Sequence, residues 1–360
     1  TRTGGVLRTG KGFRLDAGME DEPASVINRL VSRLREPVVR QAMHQAMKIM
    51  GRQFVLGRSI GEALANSSAS REAGYTYSYD MLGEAALTGG DAEDYFAAYS
   101  RAIESVGRDR FPEDKSPRPT ISVKLSALHP RYEKTQQGRV MRELGERLRA
   151  LVSLARERDV GITIDAEEAD RLEISLDLFE QLYRDPAVRG WGNLGLVVQA
   201  YSKRALPVLC WLAALARQQG DLIPVRLVKG AYWDSEIKHA QQLGLSSYPV
   251  FTRKEGTDVS YLACARFLLS DHLRDLLYPQ FASHNAHTVA SIISMAGHDG
   301  FEFQRLHGMG DALYNTVIER YGSKVRIYAP VGRHKDLLPY LVRRLLENGA
   351  PTDADKRLLA

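Results

Sequence analysis

Hydrophobic positions along residues 77–349 fall into two alternating rhythms. Short apolar runs of strand length are each followed by a longer stretch whose apolar residues recur every three or four positions, as on an amphipathic helix. Tyr77–Leu82, Ile121–Leu125, Ile162–Asp165 and Leu194–Ala200 lead to helices expected from Asp91, Gly138, Asp170 and Arg204. Pro224–Val228, Tyr278–Ser283, Phe301–Leu306 and Lys324–Tyr328 lead to helices expected from Asp234, His287, Asp311 and Lys335. Doubly wound sheets usually have fewer strands, whereas eight β/α repeats in this length fit a (β/α)8 barrel of the TIM type. One long irregular piece, Gln241–Thr257, separates the fifth and sixth repeats. Upstream, V-I-N-R-L-V-S-R-L, V-V-R-Q-A-M-H-Q-A-M-K-I-M and S-I-G-E-A-L are each spaced to bury one stripe, so a small helical subdomain is expected over 23–70. Residues 1–22 are rich in Gly and Arg without a period and read as a flexible segment. The barrel is assigned to 71–349 and a tail to 350–360.

In such a barrel the residues at or just past each strand's carboxyl end face the catalytic mouth. Here they are Glu84, Lys124, Asp165 with Glu167, Gln199, Lys229 with Tyr232, His284 with Asn285, His307, and Tyr328. A purely structural barrel has no need for polar residues at every strand end, so these positions are the candidate site. The densest stretch is V-R-L-V-K-G-A-Y-W-D-S-E, residues 225–236, a strand–loop–helix junction broken by Gly230 and expected to be capped by Asp234. Its Arg226, Lys229, Tyr232 and Trp233 suit a ligand that is anionic and flat; a basic strand end with aromatics packed on neighbouring helices is the plainer alternative.

Composition adds limits. Hydrophobic residues make up 44% of the 360, and 49 Lys and Arg against 44 Asp and Glu give a net charge of +5. The charges are mixed along the chain, so no nucleic-acid partner is expected. No apolar run is long enough to cross a bilayer, so any contact at the inner membrane is expected to be peripheral, and the cysteine usage fits a reducing cytoplasm. Cys210 and Cys264 lie in apolar helical stretches and read as small buried thiols.

Three further features have modest readings. G-M-G-D-A-L, residues 308–313, imitates half a dinucleotide fingerprint but reads as a tight βα turn. His284 and His287 lack further ligands at matching spacing, so no metal is assigned. Arg343 and Arg344 point about 100° apart on a helix and are the exposed end of a basic helix unless that helix lies over the barrel mouth, where two guanidiniums would hold a carboxylate.

Y-D-M-L-G-E-A-A (79–86), S-V-K-L-S-A-L-H-P (122–130), D-A-E-E-A-D-R-L-E (165–173), V-V-Q-A-Y (197–201) and the 225–236 stretch resemble the proline dehydrogenase domain of the bifunctional proline utilisation A flavoenzymes. So do F-T-R-K (251–254), T-D-V-S-Y (257–261), F-A-S-H-N-A-H-T (281–288), L-H-G-M-G (306–310), Y-A-P-V-G (328–332) and Y-L-V-R-R-L-L-E-N-G (340–349). The resemblance runs from about residue 36 to 349. It implies an FAD-containing barrel that performs the first step of proline catabolism, oxidising L-proline to Δ1-pyrroline-5-carboxylate by hydride transfer to flavin N5 and passing electrons to a membrane quinone. Carried over by position, it implies flavin contacts from Gln199, Arg226, Lys229, Gly230, Trp233, Thr252, His284, Asn285 and Glu347. Substrate contacts fall on Lys124, Asp165, Tyr232, Tyr328, Arg343 and Arg344, with Glu84 pairing the first arginine and the last helix lying across the mouth.

The chain departs from that family in reading P-T-D-A-D-K-R-L-L-A where a Ser-Phe-Val-x-Arg segment is expected, so the carboxyl-terminal lid is expected to be incomplete. Neither the family's aldehyde dehydrogenase domain nor its DNA-binding amino terminus is expected within this chain, which is either monofunctional or one domain of a longer polypeptide. Two other classes remain: a metal-assisted barrel lyase or isomerase using Asp165, Glu167, His284 and His307, and a docking module on a degenerate barrel.

Overall fold

The computed structural model describes residues 51, 53–109 and 118–332, all within one unit. Arg343, Arg344 and Glu347 lie outside the described residues, as do the helix expected from Lys335, the 1–22 segment, the 350–360 tail and most of the 23–70 subdomain. Only the last of that subdomain's helical stretches is described, and it forms α1 (Ile60–Glu72), with the Ser59 hydroxyl accepting the Glu62 amide.

Eight parallel strands close in sequence order into a barrel, β1 pairing with β8. They are β1 (Thr76–Met81), β2 (Thr120–Val123), β3 (Gly161–Ile164), β4 (Leu194–Gln199), β5 (Ile223–Val228), β6 (Leu277–Ala282), β7 (Glu302–Leu306) and β8 (Lys324–Val331). Helices follow each of the first seven: α2 (Gly89–Arg108), a short α3 (Leu125–Leu128) and α4 (Gln137–Glu157), α5 (Leu172–Tyr183), α6 (Ala205–Gln219), α7 (Trp233–Gln242) and α8 (Lys254–Leu268), α9 (Ala286–Met295), and α10 (Asp311–Tyr321). The (β/α)8 expectation therefore holds. The irregular piece between repeats five and six is shorter than expected, because Lys254 already opens α8.

Local chemistry sets the helix starts. Thr88 and Asp91 form a reciprocal capping box at α2, and the Asn285 side chain accepts the Thr288 amide at α9. Asp234 is not the cap expected of it. The chain turns one residue pair earlier, Tyr232 occupies the cap position, and Asp234 sits in the first turn, where its charge still complements the helix dipole.

Strand alternation divides the molecule into two packed regions. Outward residues such as Tyr77, Tyr79, Ile121, Val123, Ile162, Leu227, Phe281 and Phe303 are buried against the helices and form the main hydrophobic core. Inward positions are polar to an unusual degree: Ser78, Asp80, Ser122, Lys124, Arg226, Gln280, Glu302, Gln304 and Arg326 are all buried. At the amino-terminal end of the lumen, Arg326 grips Glu302 through Nε at 2.6 Å and Nη2 at 3.0 Å. Its Nη1 donates to the Arg118 carbonyl at 2.7 Å, and Gln304 donates to Glu302 at 2.9 Å. A charge inside a barrel persists only when neutralised and hydrogen-bonded in this way.

Cys264 is buried as expected, but Cys210 is exposed, because it lies on the solvent side of α6 and not on its packed stripe.

Candidate active site

A cavity of about 420 Å³ opens at the carboxyl-terminal end of the barrel. Its floor is a closed ionic network contributed by five strands. Arg226 of β5 donates from Nη1 to Asp165 at 2.8 Å, and from Nη2 to Ser78 at 2.9 Å and Ser122 at 3.0 Å. The Tyr328 hydroxyl donates to the other Asp165 oxygen at 2.9 Å, and the Arg226 guanidinium lies 5.0 Å from the centre of the Tyr328 ring. Lys124 Nζ sits 2.5 Å from Asp80, 3.4 Å from Asp165 and 3.4 Å from the Tyr328 hydroxyl.

Protonation follows from this packing. Burial by itself lowers the Lys124 pKa, but Asp80, Tyr328 and Asp165 outweigh it, and the net direction is well above the ordinary lysine value. Burial and the Asp165 and Asp80 charges push Tyr328 upward, against Lys124 and Arg226, so its hydroxyl stays protonated and able to donate.

The walls come from loops following the strands. The Gln199 side chain bridges two loops, donating to the Glu167 carbonyl at 2.8 Å and accepting the Ala231 amide at 3.2 Å. Lys229 is ion-paired with Asp258. Gly230 has φ +137°, and a Cβ there would lie 2.5 Å from the Tyr201 ring, so only glycine fits this bend. The His284 Nε2 accepts the Leu306 amide at 3.0 Å, which fixes its tautomer with the proton on Nδ1. Val197, Val228, Ala231, Ala282 and Leu306 supply apolar wall.

Of the residues expected from the sequence, Lys124, Asp165, Gln199, Arg226, Lys229, Gly230, Tyr232, His284, Asn285 and Tyr328 line this one cavity. Trp233 and Thr252 do not. Trp233 is 42% exposed and its ring N–H donates to the Phe251 carbonyl at 2.8 Å, while Thr252 is exposed. Glu84 is half-buried in the loop after β1 and is not part of the wall. Glu167 and His307 are also outside it. Glu167 accepts the Ser126 amide at 2.9 Å and binds Arg171 at 2.9 Å, and burial raises its pKa. Burial lowers that of His307. Among the described residues no group of three or more His, Cys, Asp or Glu side chains could hold a metal ion; of the four named for a metal-assisted barrel, Asp165 and His284 line the cavity while Glu167 and His307 do not. G-M-G-D forms the tight turn expected, with Gly308 at φ +77° and Gly310 at φ +74° leading into α10.

Sequence reasoning overlooked Asp80, Ser78, Ser122, Gln304, Arg305, Ser283 and Lys254. The signal for the first was present. In T-Y-S-Y-D-M the polar residues at 78 and 80 alternate with two tyrosines, which places them together inside the barrel, but only the strand ends were weighed.

A (β/α)8 barrel with an ionic floor and apolar walls at the carboxyl end of its strands places this cavity where enzymes of the barrel class hold their active sites. Residues 63–357 match the family model described as proline dehydrogenase, and the chain belongs to that family. A bifunctional protein PutA from Klebsiella aerogenes is 52% identical, covering 99% of this chain and 28% of its own length. Proline dehydrogenase 1 of Bacillus subtilis is 27% identical, over 84% of this chain and 88% of its own. A crystal structure of a Bradyrhizobium japonicum proline utilization A variant superposes with TM-score 0.78 at 53% identity, covering 91% of this chain and 33% of that one. Proline utilization A from Bdellovibrio bacteriovorus, solved after inactivation by N-propargylglycine, gives TM-score 0.83 at 31% identity, covering 90% and 35%. The chain thus spans only about a quarter to a third of the length of its PutA relatives.

A second model, described as the DNA-binding domain of proline dehydrogenase, matches residues 3–54. This corrects the expectation that the chain lacks the family's DNA-binding segment, and it counts against the expectation of no nucleic-acid partner. Residues 3–54 hold nine Lys and Arg against five Asp and Glu, so most of the chain's net charge of +5 lies in this segment; taken over all 360 residues that bias reads as mixed charge.

Proposed function

We propose that this chain oxidises L-proline to Δ1-pyrroline-5-carboxylate with bound FAD as the electron acceptor. The observation that carries the reading is the cavity floor, where Lys124 and Arg226 are held rigidly beneath an apolar-walled space in a chain of the proline dehydrogenase family.

The donor set fits the cofactor. Lys229, Lys254 and the first turn of α9, which begins directly after the cavity residues Ser283, His284 and Asn285, favour an anionic diphosphate. Val197, Val228, Leu306 and Tyr232 offer flat and apolar surface for a ring system. The Arg226 Nε is buried without a partner, an unused donor at the floor. Gln199, Arg226, Lys229, Gly230, His284 and Asn285 would hold the cofactor, with Trp233, Thr252 and Glu347 assigned by resemblance. When bound, FAD supplies a two-electron acceptor for the hydride equivalent leaving the proline ring carbon beside nitrogen.

The protein's part is positioning and field. Arg343 and Arg344 are assigned the proline carboxylate and Glu84 the first of them; both arginines lie outside the described residues, and these roles rest on the resemblance. Tyr232 and Tyr328 limit the space to about the size of proline. Lys124 and Arg226 supply fixed positive charge where negative charge develops, without reorganisation at the moment of reaction. A membrane quinone is proposed as the final acceptor; among the described residues no helix is long and apolar enough to cross a membrane, so contact with a bilayer would be peripheral. An aldehyde dehydrogenase domain is a proposed partner if the chain is part of a longer polypeptide, as in the PutA relatives. Purified protein should be yellow and lose its visible absorbance when proline is added anaerobically; a colourless protein, or a yellow one unaffected by proline, would refute the proposal.

A further inference from the structure

Asp80 lies in β1, outside every residue assigned a role above, and is 1% exposed. Its Oδ1 stands 2.5 Å from Lys124 Nζ, closer than any other partner of that ammonium. Lys124 is 7% exposed and its backbone amide is anchored 3.1 Å from the Tyr99 hydroxyl on α2. The groups facing the ammonium are Asp80 from β1, Asp165 from β3, Tyr328 from β8 and Tyr99 from α2, with Arg226 from β5 on the far side of Asp165. The carboxylates are not equivalent. Asp165 is shared, with one oxygen on Arg226 at 2.8 Å and the other accepting from Tyr328 at 2.9 Å. Among the described residues, the side-chain hydrogen-bond partner of Asp80 is Lys124. The floor therefore contains two cations and two carboxylates, matched as Arg226 with Asp165 and Lys124 with Asp80.

We propose that Asp80 is a positioning residue that keeps the Lys124 ammonium permanently charged and pinned at the cavity floor, so that Lys124 serves the reaction as a fixed cation and not as a proton acceptor. This rests on the proline-oxidising reading above. Without Asp80 the same ammonium would be buried with only a shared carboxylate, and burial, the largest influence on it, acts toward the neutral amine. The consequence is specific to pH. In the native protein Lys124 contributes no ionisation below the ordinary lysine range. In Asp80→Asn it titrates within the working range and the site loses its charge as pH rises.

The test compares the flavin-loaded wild type, Asp80→Asn, Asp80→Glu, Lys124→Met and the double variant Asp80→Asn/Lys124→Met between pH 6 and 10. Two quantities are followed: kcat/KM for proline, and the calorimetric Kd for cyclopentanecarboxylate, a ring carboxylate that cannot be oxidised as an amine. Asp80→Asn should acquire an alkaline limb in both within this pH range, with about a tenfold loss per pH unit along it. The limb should be missing from Asp80→Glu, Lys124→Met and the double variant. A pH-independent loss in Asp80→Asn, or the same limb in the double variant, would overturn the proposal. Should Asp80→Asn be insoluble, adding Lys124→Met should restore soluble protein by removing the uncompensated charge; an equally insoluble double variant would overturn it too. Failure of the wild type to bleach with proline would instead count against the function itself.

Discussion

At the residue scale the site depends on shared acceptors. Asp165 holds Arg226 and Tyr328 simultaneously, so its loss would strand a buried guanidinium and free a ring that walls the cavity. Asp165→Ala should therefore lower kcat/KM and weaken flavin retention together, measurable as the ratio of visible to ultraviolet absorbance after gel filtration. Arg344→Met should behave differently, raising the KM for proline roughly tenfold or more, the scale of a lost charge-assisted hydrogen bond, while flavin stays bound. An unchanged KM would remove the carboxylate from that residue. The places of Lys124, Asp165 and Tyr328 in the cavity were legible as polar strand ends because barrel geometry dictates where strand ends point. Asp80 was hidden because a penultimate strand residue looks structural until its neighbour across the sheet, Ser122, and the lysine two residues beyond are seen to share its face.

Elements give the site its precision. The β5–α7 junction works because Gly230 adopts φ +137° with the Tyr201 ring packed where a side chain would be. Gly230→Ala should cost roughly 1–3 kcal/mol in denaturant melts and displace the loop carrying Tyr232, lowering cofactor occupancy as well. At the other end of the lumen, Glu302→Ala would leave Arg326 buried and unpaired and should destabilise the fold by about 3–5 kcal/mol, with the flavin spectrum of the surviving folded protein unchanged. Strand positions were legible in the sequence to within about two residues, since parallel strands buried on their outer face announce themselves as apolar runs. Helix starts within the described residues were legible to a similar margin, although the capping chemistry was not. Asp234 looked like a cap, but the backbone turned earlier at Gly230, and the residues 241–257 looked irregular because α8 opens with the polar sequence K-E-G-T-D before its apolar stripe appears.

The described residues form a barrel whose outer face is a conventional hydrophobic core and whose lumen is an ionic column. That inversion explains why an ordinary composition encodes a specialised interior: the polar residues are spread singly over eight strands and converge only on closure. Legibility failed at residues 3–54, whose basic excess of nine Lys and Arg over five Asp and Glu is diluted in the near-balanced charge of the whole chain, so the match to a DNA-binding domain went unexpected. The central claim is that this cavity binds FAD and oxidises proline. It is tested most directly by the visible spectrum of the purified chain before and after anaerobic addition of L-proline. The account predicts a flavin absorbance that bleaches with proline and returns on adding a soluble quinone. A protein without flavin absorbance, or one whose flavin proline leaves oxidised, would contradict it.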